Sequence, residues 1–380
     1  ILPDTYSPPS GQKTKFKANV DAIKLLKSIE AEGRVATPSE QAVLAQYTGW
    51  GGLPQAFQYS HNWQQEYEHL RALLTDEEYA AARASTPNAH YTDPATIRAI
   101  YRGLQHMGFK GGRLLEPGAG VGHFLGAMPT ELAAHSQRTA VEKDSLSARL
   151  AKQLYQKANV IENEYQKVTL PENFFDVAVG NVPFADVKVF DPHNKDLSKL
   201  NLSLHDYYFA KAVSQVRPGG IVAFITSRYT MDKVNGKLRD YIANQADLLG
   251  AIRLPNTQFK DIANTDVTTD IIVLQRRADG QAAGGQSWAK AEKHQVGEQE
   301  VMLNEYFIEH PEQIMGKLSL QDSMYRDKEM TVENDGRDMG PALDQAFKRM
   351  PEKVLRPRER PQSTTQRGLL EALEATDEVK

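Results

Sequence analysis

Cysteine is absent from the 380 residues. That excludes a disulfide scaffold, a thiolate metal site and a cysteine nucleophile, and it suits a reducing, cytoplasmic compartment. Apolar runs of about 18 residues are absent too, so neither a transmembrane helix nor a membrane partner is expected. Neither charge sign dominates: 45 Lys and Arg stand against 49 Asp and Glu, a formal charge of −4. A uniformly basic coat is thereby excluded, and a polyanionic partner is left to local basic patches. Glycine (26) and proline (19) are too few for a collagen-like or low-complexity chain. No internal repeat is present, and no His, Asp and Glu cluster has metal-ligand spacing, so no metal is expected. What remains is ordinary for a globular protein, with 40% hydrophobic and 25% charged residues. At roughly 150 residues per domain the length predicts about two domains. The chain opens Ile1-Leu2-Pro3-Asp4 without Met, as expected of a piece of a longer polypeptide.

Three regions are expected. Residues 1–86 read as an arm followed by a helical subdomain. Apolar positions from Val20 to Ile29 follow helical spacing. Thr37-Pro38-Ser39-Glu40 offers a cap, a first-position proline and a glutamate three residues after the cap. Residues 64–83 read as one polar helix. Residues 87–277 alternate between the two periods. Helices are expected over 94–107, 124–134, 145–157, 204–216 and 237–244. Strands are expected over 113–116, 138–142, 159–162, 174–179, 221–226, 248–254 and 267–275. This alternation predicts an α/β domain with a doubly wound, mostly parallel sheet whose last strand runs antiparallel. Residues 278–380 read as a linker (278–286) and a helical extension, with amphipathic stretches at 304–320, 340–350 and 369–375.

The strongest local signal is Glu116-Pro117-Gly118-Ala119-Gly120-Val121-Gly122-His123-Phe124, between an expected strand and helix. Glycines let backbone approach a ligand and leave amides exposed at a helix N-terminus. The dinucleotide fingerprint Gly-x-Gly-x-x-Gly fails, because its sixth position is His123. The loop is similar instead to the Glu/Asp-x-x-x-Gly-x-Gly turn of methyltransferases that bind S-adenosyl-L-methionine. There the leading acid, Glu116, meets the ligand's ammonium group. One strand later Glu142 stands where an acid hydrogen-bonds both ribose hydroxyls.

The fourth strand runs into Asn181-Val182-Pro183-Phe184. This resembles the Asn-Pro-Pro-Tyr/Phe motif of amino-methyltransferases acting on adenine N6, cytosine N4 or protein glutamine N5. The lone pair of such a conjugated nitrogen is a poor nucleophile. The Asn side-chain oxygen and the next carbonyl each accept one N–H, steering the nitrogen toward a tetrahedral shape. The aromatic residue stacks on the planar target. Val182 keeps the carbonyl and lacks only the preset φ of proline, so Val182→Pro is expected to be tolerated.

Taken in order, these motifs resemble the gamma group of N6-adenine DNA methyltransferases. Tyr91-Thr92 lies where that group holds the methionine part of the cofactor. Glu116 to Phe124, with Pro117, Gly118, Gly120 and Gly122, looks like its cofactor loop. The resemblance makes Glu164 the acceptor for the cofactor's adenine amino group and Tyr165 a residue packed on that ring. Tyr47-Thr48-Gly49-Trp50-Gly51-Gly52-Leu53 and the stretch from Asn304 to Gly316 resemble large phage- and plasmid-borne proteins joining such an enzyme to a helicase. Trp50 itself reads more as a core anchor than as a base-stacking residue. The resemblance implies DNA as partner, a helicase region in the same longer polypeptide, and a role in modifying mobile DNA or evading restriction.

A duplex base cannot reach a buried methyl donor, so the adenine is flipped or single-stranded. Lys188, Lys195 and Lys199 on the connection after the catalytic loop are candidates for phosphate contacts. So are Arg228, Lys233 and Lys237 after the fifth strand. No element for base readout is evident, which predicts relaxed sequence preference or specificity supplied by the rest of a longer polypeptide. Protein-glutamine methylation and a non-catalytic cofactor- or DNA-binding module are the competing readings.

Overall fold

The computed structural model describes residues 2–3, 6–86, 92–185, 187–259, 268–321 and 328–358. The N-terminal region is helical. α1 (Gln12–Ala31) buries Phe16, Val20, Ile23, Leu26 and Ile29. α2 (Pro38–Leu44) starts at a capping box, in which the Thr37 hydroxyl accepts from the Glu40 amide and the Glu40 carboxylate from the Thr37 amide. The same device at Thr75 and Glu78 starts α4 (Asp76–Ser85). It explains why the single helix expected over 64–83 is two, since α3 (Gln64–Leu73) ends where Thr75 opens a new one. Trp50 is buried edge-on to Phe16 and Phe57, at 6.2 and 5.4 Å, the core anchor expected of it.

After α5 (Pro94–His106) come the seven strands of one sheet: β1 (Gly112–Pro117), β2 (Ser136–Glu142), β3 (Asn159–Glu162), β4 (Phe175–Asn181), β5 (Val216–Ser227), β6 (Ala246–Leu254) and β7 (Thr269–Arg276). Their order is β3-β2-β1-β4-β5-β7-β6. β7 runs antiparallel to both neighbours and the other pairs are parallel. The fold class is therefore the expected one. The helix expected over 124–134 is split into α6 (His123–Gly126) and α7 (Thr130–Ala134). Pro129, which has no amide hydrogen to donate, stands between them. α8 (Ser145–Leu154) is capped by Asp144, whose carboxylate accepts from the Ser147 amide at 2.8 Å. α9 (Lys195–Lys199), α10 (Leu204–Gln215), α11 (Tyr229–Asp232) and α12 (Lys237–Ala243) complete this region. Strand order reverses between β1 and β4, so a crevice opens beyond their carboxyl ends, where ligands of such sheets gather.

The C-terminal extension departs from expectation. It holds two antiparallel hairpins, β8 (Ala291–Val296) with β9 (Gln299–Asn304) and β10 (Lys317–Gln321) with β11 (Glu329–Glu333). The alternation Lys317-Leu318-Ser319-Leu320 has the period of a strand, not of a helix. Helix is confined here to Glu305–Glu309 and Met339–Lys348, apart from one short 3-10 turn, among the described residues. The second helix packs on α5 at Gly103, where an added Cβ would lie 2.3 Å from the Phe347 ring. The stretch expected to be helical at 369–375 lies outside the described residues. Under the hairpins, Arg253 on β6 is wholly buried. It bonds Asp270 of β7 twice at 2.8 Å and pairs with Asp232 at 2.8 Å.

Candidate cofactor site and catalytic loop

A cavity of about 860 Å³ opens at the carboxyl ends of β1, β2 and β4. The glycine loop forms its floor. Gly118, Gly120 and Gly122 all have positive φ, 66, 57 and 81°, a region that favours glycine. A Cβ at Gly122 would lie 2.7 Å from the Tyr155 ring, whereas one at Gly120 would meet nothing within 4 Å. Gly122 is therefore required by packing, and Gly120 leaves room for a ligand.

Two buried carboxylates face this loop. Glu116 is 2% exposed and accepts from the Leu125 amide at 3.2 Å, at the start of α6. Burial pushes its carboxyl well above the usual carboxylate range; the Leu125 and Phe124 amides pull it back, and Glu142 adds to the rise. Glu142 accepts from the Gly120 amide and the Asp144 amide, both at 2.7 Å. Its carboxyl is also raised, first by burial. Both acids are thus fixed by backbone, with charge that no cation offsets at hydrogen-bond distance among the described residues. Burial holds the His123 imidazole down to about 3, so this cavity residue is neutral.

Asn181 ends β4 and donates through Nδ2 to Thr92 Oγ1 at 3.0 Å. The Val182 amide donates to the Ile225 carbonyl at 3.0 Å, extending the pairing of β4 with β5 by one residue. Asn181, Val182, Pro183 and Thr92 all line the cavity, as do Glu116, Gly118, Gly120, Phe124, Glu142, Glu164 and Tyr165. Pro117 ends β1 and Gly122 caps α6. Tyr91 lies outside the described residues.

Several expected roles meet other surroundings. Phe184 is half-buried against the large apolar cluster and is not among the residues lining the cavity. The Glu164 carboxylate accepts from Gln166 at 2.5 Å and pairs with Lys167 at 3.0 Å. Tyr165 donates its hydroxyl to Gln215 at 2.5 Å, and its ring lies 4.8 Å from that of Tyr208. Arg228 is a buried strut, paired with Asp232 at 3.3 Å and Glu329 at 3.1 Å. Lys233 is paired with Asp206. In both cases a buried acid holds the cation: Asp232 is 2% exposed beside Arg228, and Asp206 is 2% exposed beside Lys233. Lys188, Lys195, Lys199 and Lys237 are exposed, and Lys188 lines the cavity.

Sequence reasoning assigned no site role to Tyr208, Tyr47, Thr48 or Gly49, all in the cavity wall. Tyr208 sits near Gly118, where an added Cβ would lie 3.1 Å from its ring. An aromatic residue inside a core helix carries no signal separating this use from packing. Among the described residues no group of His, Asp and Glu is arranged to hold a metal, and no helix is long and apolar enough to cross a membrane.

The strand order with its reversed seventh strand, and the glycine loop facing two acids, define a class I S-adenosylmethionine-dependent methyltransferase fold. Residues 117–259 match the Eco57I restriction-modification methylase family, a similarity that agrees with S-adenosylmethionine as the cofactor. The chain is 25% identical over 270 residues to the defense against restriction protein B of Escherichia phage P1. That alignment covers 70% of this chain and 10% of the phage protein. Among solved structures, a type I restriction-modification system methyltransferase subunit from Streptococcus thermophilus is similar with a TM-score of 0.45 and 13% identity, over 87% of this chain and 78% of that one. TrmN from Thermus thermophilus is similar at 0.33 and 19% identity, over 48% and 51%.

The residues present fit this cofactor. The open face at Gly120, two uncompensated carboxylates and a cavity of ligand size suit a molecule carrying an amine and a ribose. Glu116 would hold the amine and Glu142 the ribose hydroxyls.

Proposed function

We propose that the protein transfers a methyl group to N6 of adenine in DNA, with relaxed sequence preference, in modification of mobile DNA or evasion of restriction. The observation that carries this reading is the placement of Asn181 and Val182 in the wall of the same cavity as Glu116 and Glu142. When bound, S-adenosylmethionine supplies an electrophilic methyl on its sulfonium. Asn181 Oδ1 accepts one hydrogen of the target amine and the Val182 carbonyl accepts the other. Together they hold the nitrogen lone pair out of conjugation and aim it into the cavity. The Thr92 hydroxyl accepts from Asn181 Nδ2 and so orients the amide, with Oδ1 as the acceptor for the target. Pro183, in contact distance of the glycine loop, stiffens the segment. The base enters flipped or from a single strand. The phage P1 resemblance supports the restriction-evasion role, and a longer polypeptide carrying a helicase region is its natural setting.

Asn181→Ala is expected to abolish methylation while S-adenosylmethionine binds nearly as in the wild type. Nucleoside analysis of treated DNA for N6-methyladenine, beside calorimetric titration, decides. Full activity of the variant removes the catalytic loop from the reading. Label appearing in protein glutamine and not in DNA replaces the substrate.

A further inference from the structure

Tyr47-Thr48-Gly49 has no part in the chemistry above, yet it stands in the cavity wall beside Lys143, Asp144 and Ser147, which follow Glu142. This loop is firmly built. Asn19 on α1 is wholly buried, and both ends of its amide grip the loop. Oδ1 accepts from the Thr48 amide at 2.9 Å, and Nδ2 donates to the Gly49 carbonyl at 2.6 Å. Gly49 has φ 79°, a conformation a side chain would strain. Tyr47 and Trp50, each 1% exposed, pin the two ends in the apolar cluster. The Tyr47 phenol is close enough to Asp144 and Glu142 to feel both charges. Between these anchors Thr48 is half-buried, and its hydroxyl makes no hydrogen bond among the described residues. A rigid support that presents an unbonded hydroxyl and a bare glycine to a cavity is the arrangement of a binding element.

We infer that the Tyr47–Gly49 loop is part of the cofactor site and closes over its adenosyl end, holding the nucleoside between the N-terminal helices and the sheet. The inference rests on the S-adenosylmethionine reading above. Thr48 Oγ1 supplies a hydrogen bond to the nucleoside, Gly49 allows close approach, and Asn19 acts as a positioning residue. Region 1–86 then forms one wall of the binding site.

Calorimetric titration of the full chain with S-adenosylhomocysteine, and with adenosine, which lacks the amino-acid part, tests this. Thr48→Val removes the hydroxyl at nearly constant shape, and both ligands are expected to bind about 3- to 10-fold more weakly. Thr48→Trp fills the cavity and is expected to abolish both, with the melting temperature of the free protein unchanged. A loss confined to S-adenosylhomocysteine overturns the placement at the adenosyl end. Unchanged affinities in both variants, against a wild type that binds, overturn the inference alone. A wild type that binds no S-adenosylhomocysteine overturns the cofactor reading and the inference with it.

Discussion

Two groups of buried carboxylates at the sheet are answered differently. At the ends of β1 and β2, Glu116 and Glu142 receive hydrogen bonds from backbone amides. At β6 and β7, Asp270 of β7 and Asp232 at the end of α11 meet the Arg253 guanidinium. An amide stabilises a carboxylate without neutralising it, whereas a guanidinium cancels the charge and fills the remaining lone pairs. Burial therefore raises both glutamates with only amides and weak charges opposing it. Burial also raises Asp270, but there Arg253 pulls directly against it. Among the described residues the first pair has no cation at hydrogen-bond distance, and under the proposed function the cofactor's amine and ribose would meet it. The second is paired, and Asp232 also accepts from the Asn304 amide at 2.9 Å, which ties it to the C-terminal extension.

Removing Arg253 should break this contrast most severely. Arg253→Leu leaves Asp232 and Asp270 buried and facing each other. The expected cost is about 3–5 kcal/mol, the usual penalty for breaking a buried ion pair, read from urea unfolding of the variant and the wild type. A loss below about 1 kcal/mol would mean that water or another cation reaches these acids. Converting them to inert struts would then no longer distinguish them from the glutamates.

Next in size is the response of Glu116 to pH. Its carboxyl is raised in the free protein, so its contribution to stability is fully present below the unfolded value and is lost as pH rises through the folded one. A bound amine favours the ionised form. Across the window from the ordinary carboxylate value to the raised one, binding therefore releases a proton and affinity climbs with pH. Binding enthalpies of S-adenosylmethionine in two buffers of different ionisation enthalpy measure the release. Glu116→Gln should remove it and weaken binding by about 1.5–3 kcal/mol, the range for hydrogen bonds to charged groups. Proton uptake on binding would sink the assigned contact.

The sheet was legible in the sequence because its strands are short apolar runs bounded by glycine, proline and asparagine, and the site because glycine and carboxylate at strand ends have few other uses. The C-terminal hairpins were not, because Leu318 and Leu320 fit either period over so few residues. Nor was the fate of Arg228 and Lys233. Whether a cation points to solvent or to Asp232 and Asp206 is decided by packing between segments distant in the chain. Nor was the packing of Phe184 against the apolar cluster, as an aromatic residue at a loop end is equally suited to a base or to the core it adjoins.

Val182 gives a smaller effect, on stability. Its amide donates to the Ile225 carbonyl at 3.0 Å, a bond that proline cannot make. Val182→Pro therefore exposes a buried carbonyl to loss of its partner, at about 1–3 kcal/mol. The chain has valine here because its fourth strand stays paired one residue further than a proline permits. Thermal unfolding of Val182→Pro, compared with Val182→Ala, separates the lost bond from lost packing. Equal stability of the two would show that the bond contributes nothing.

The smallest effects concern the cations and carry the contrast between completed and open charges to the surface. Lys199 pairs with Asp196 at 2.7 Å, with side-chain exposures of 75 and 91%, so water screens the pair and either partner is free to leave it. Lys237 is exposed and makes no ion pair among the described residues. Arg228 is held by Asp232 and Glu329. If the exposed lysines meet phosphates, Lys199→Ala and Lys237→Ala should weaken oligonucleotide binding uniformly across sequences. Each should lower the slope of log affinity against log salt by about 0.7–1, and neither should move the urea midpoint. Arg228→Gln should do the reverse, lowering the midpoint while leaving the slope intact, because a cation already neutralised inside the fold releases no counterion from DNA. A slope that falls for Arg228→Gln and not for the lysines would place the nucleic acid against β11 and the sheet end, and would turn the strut into the contact.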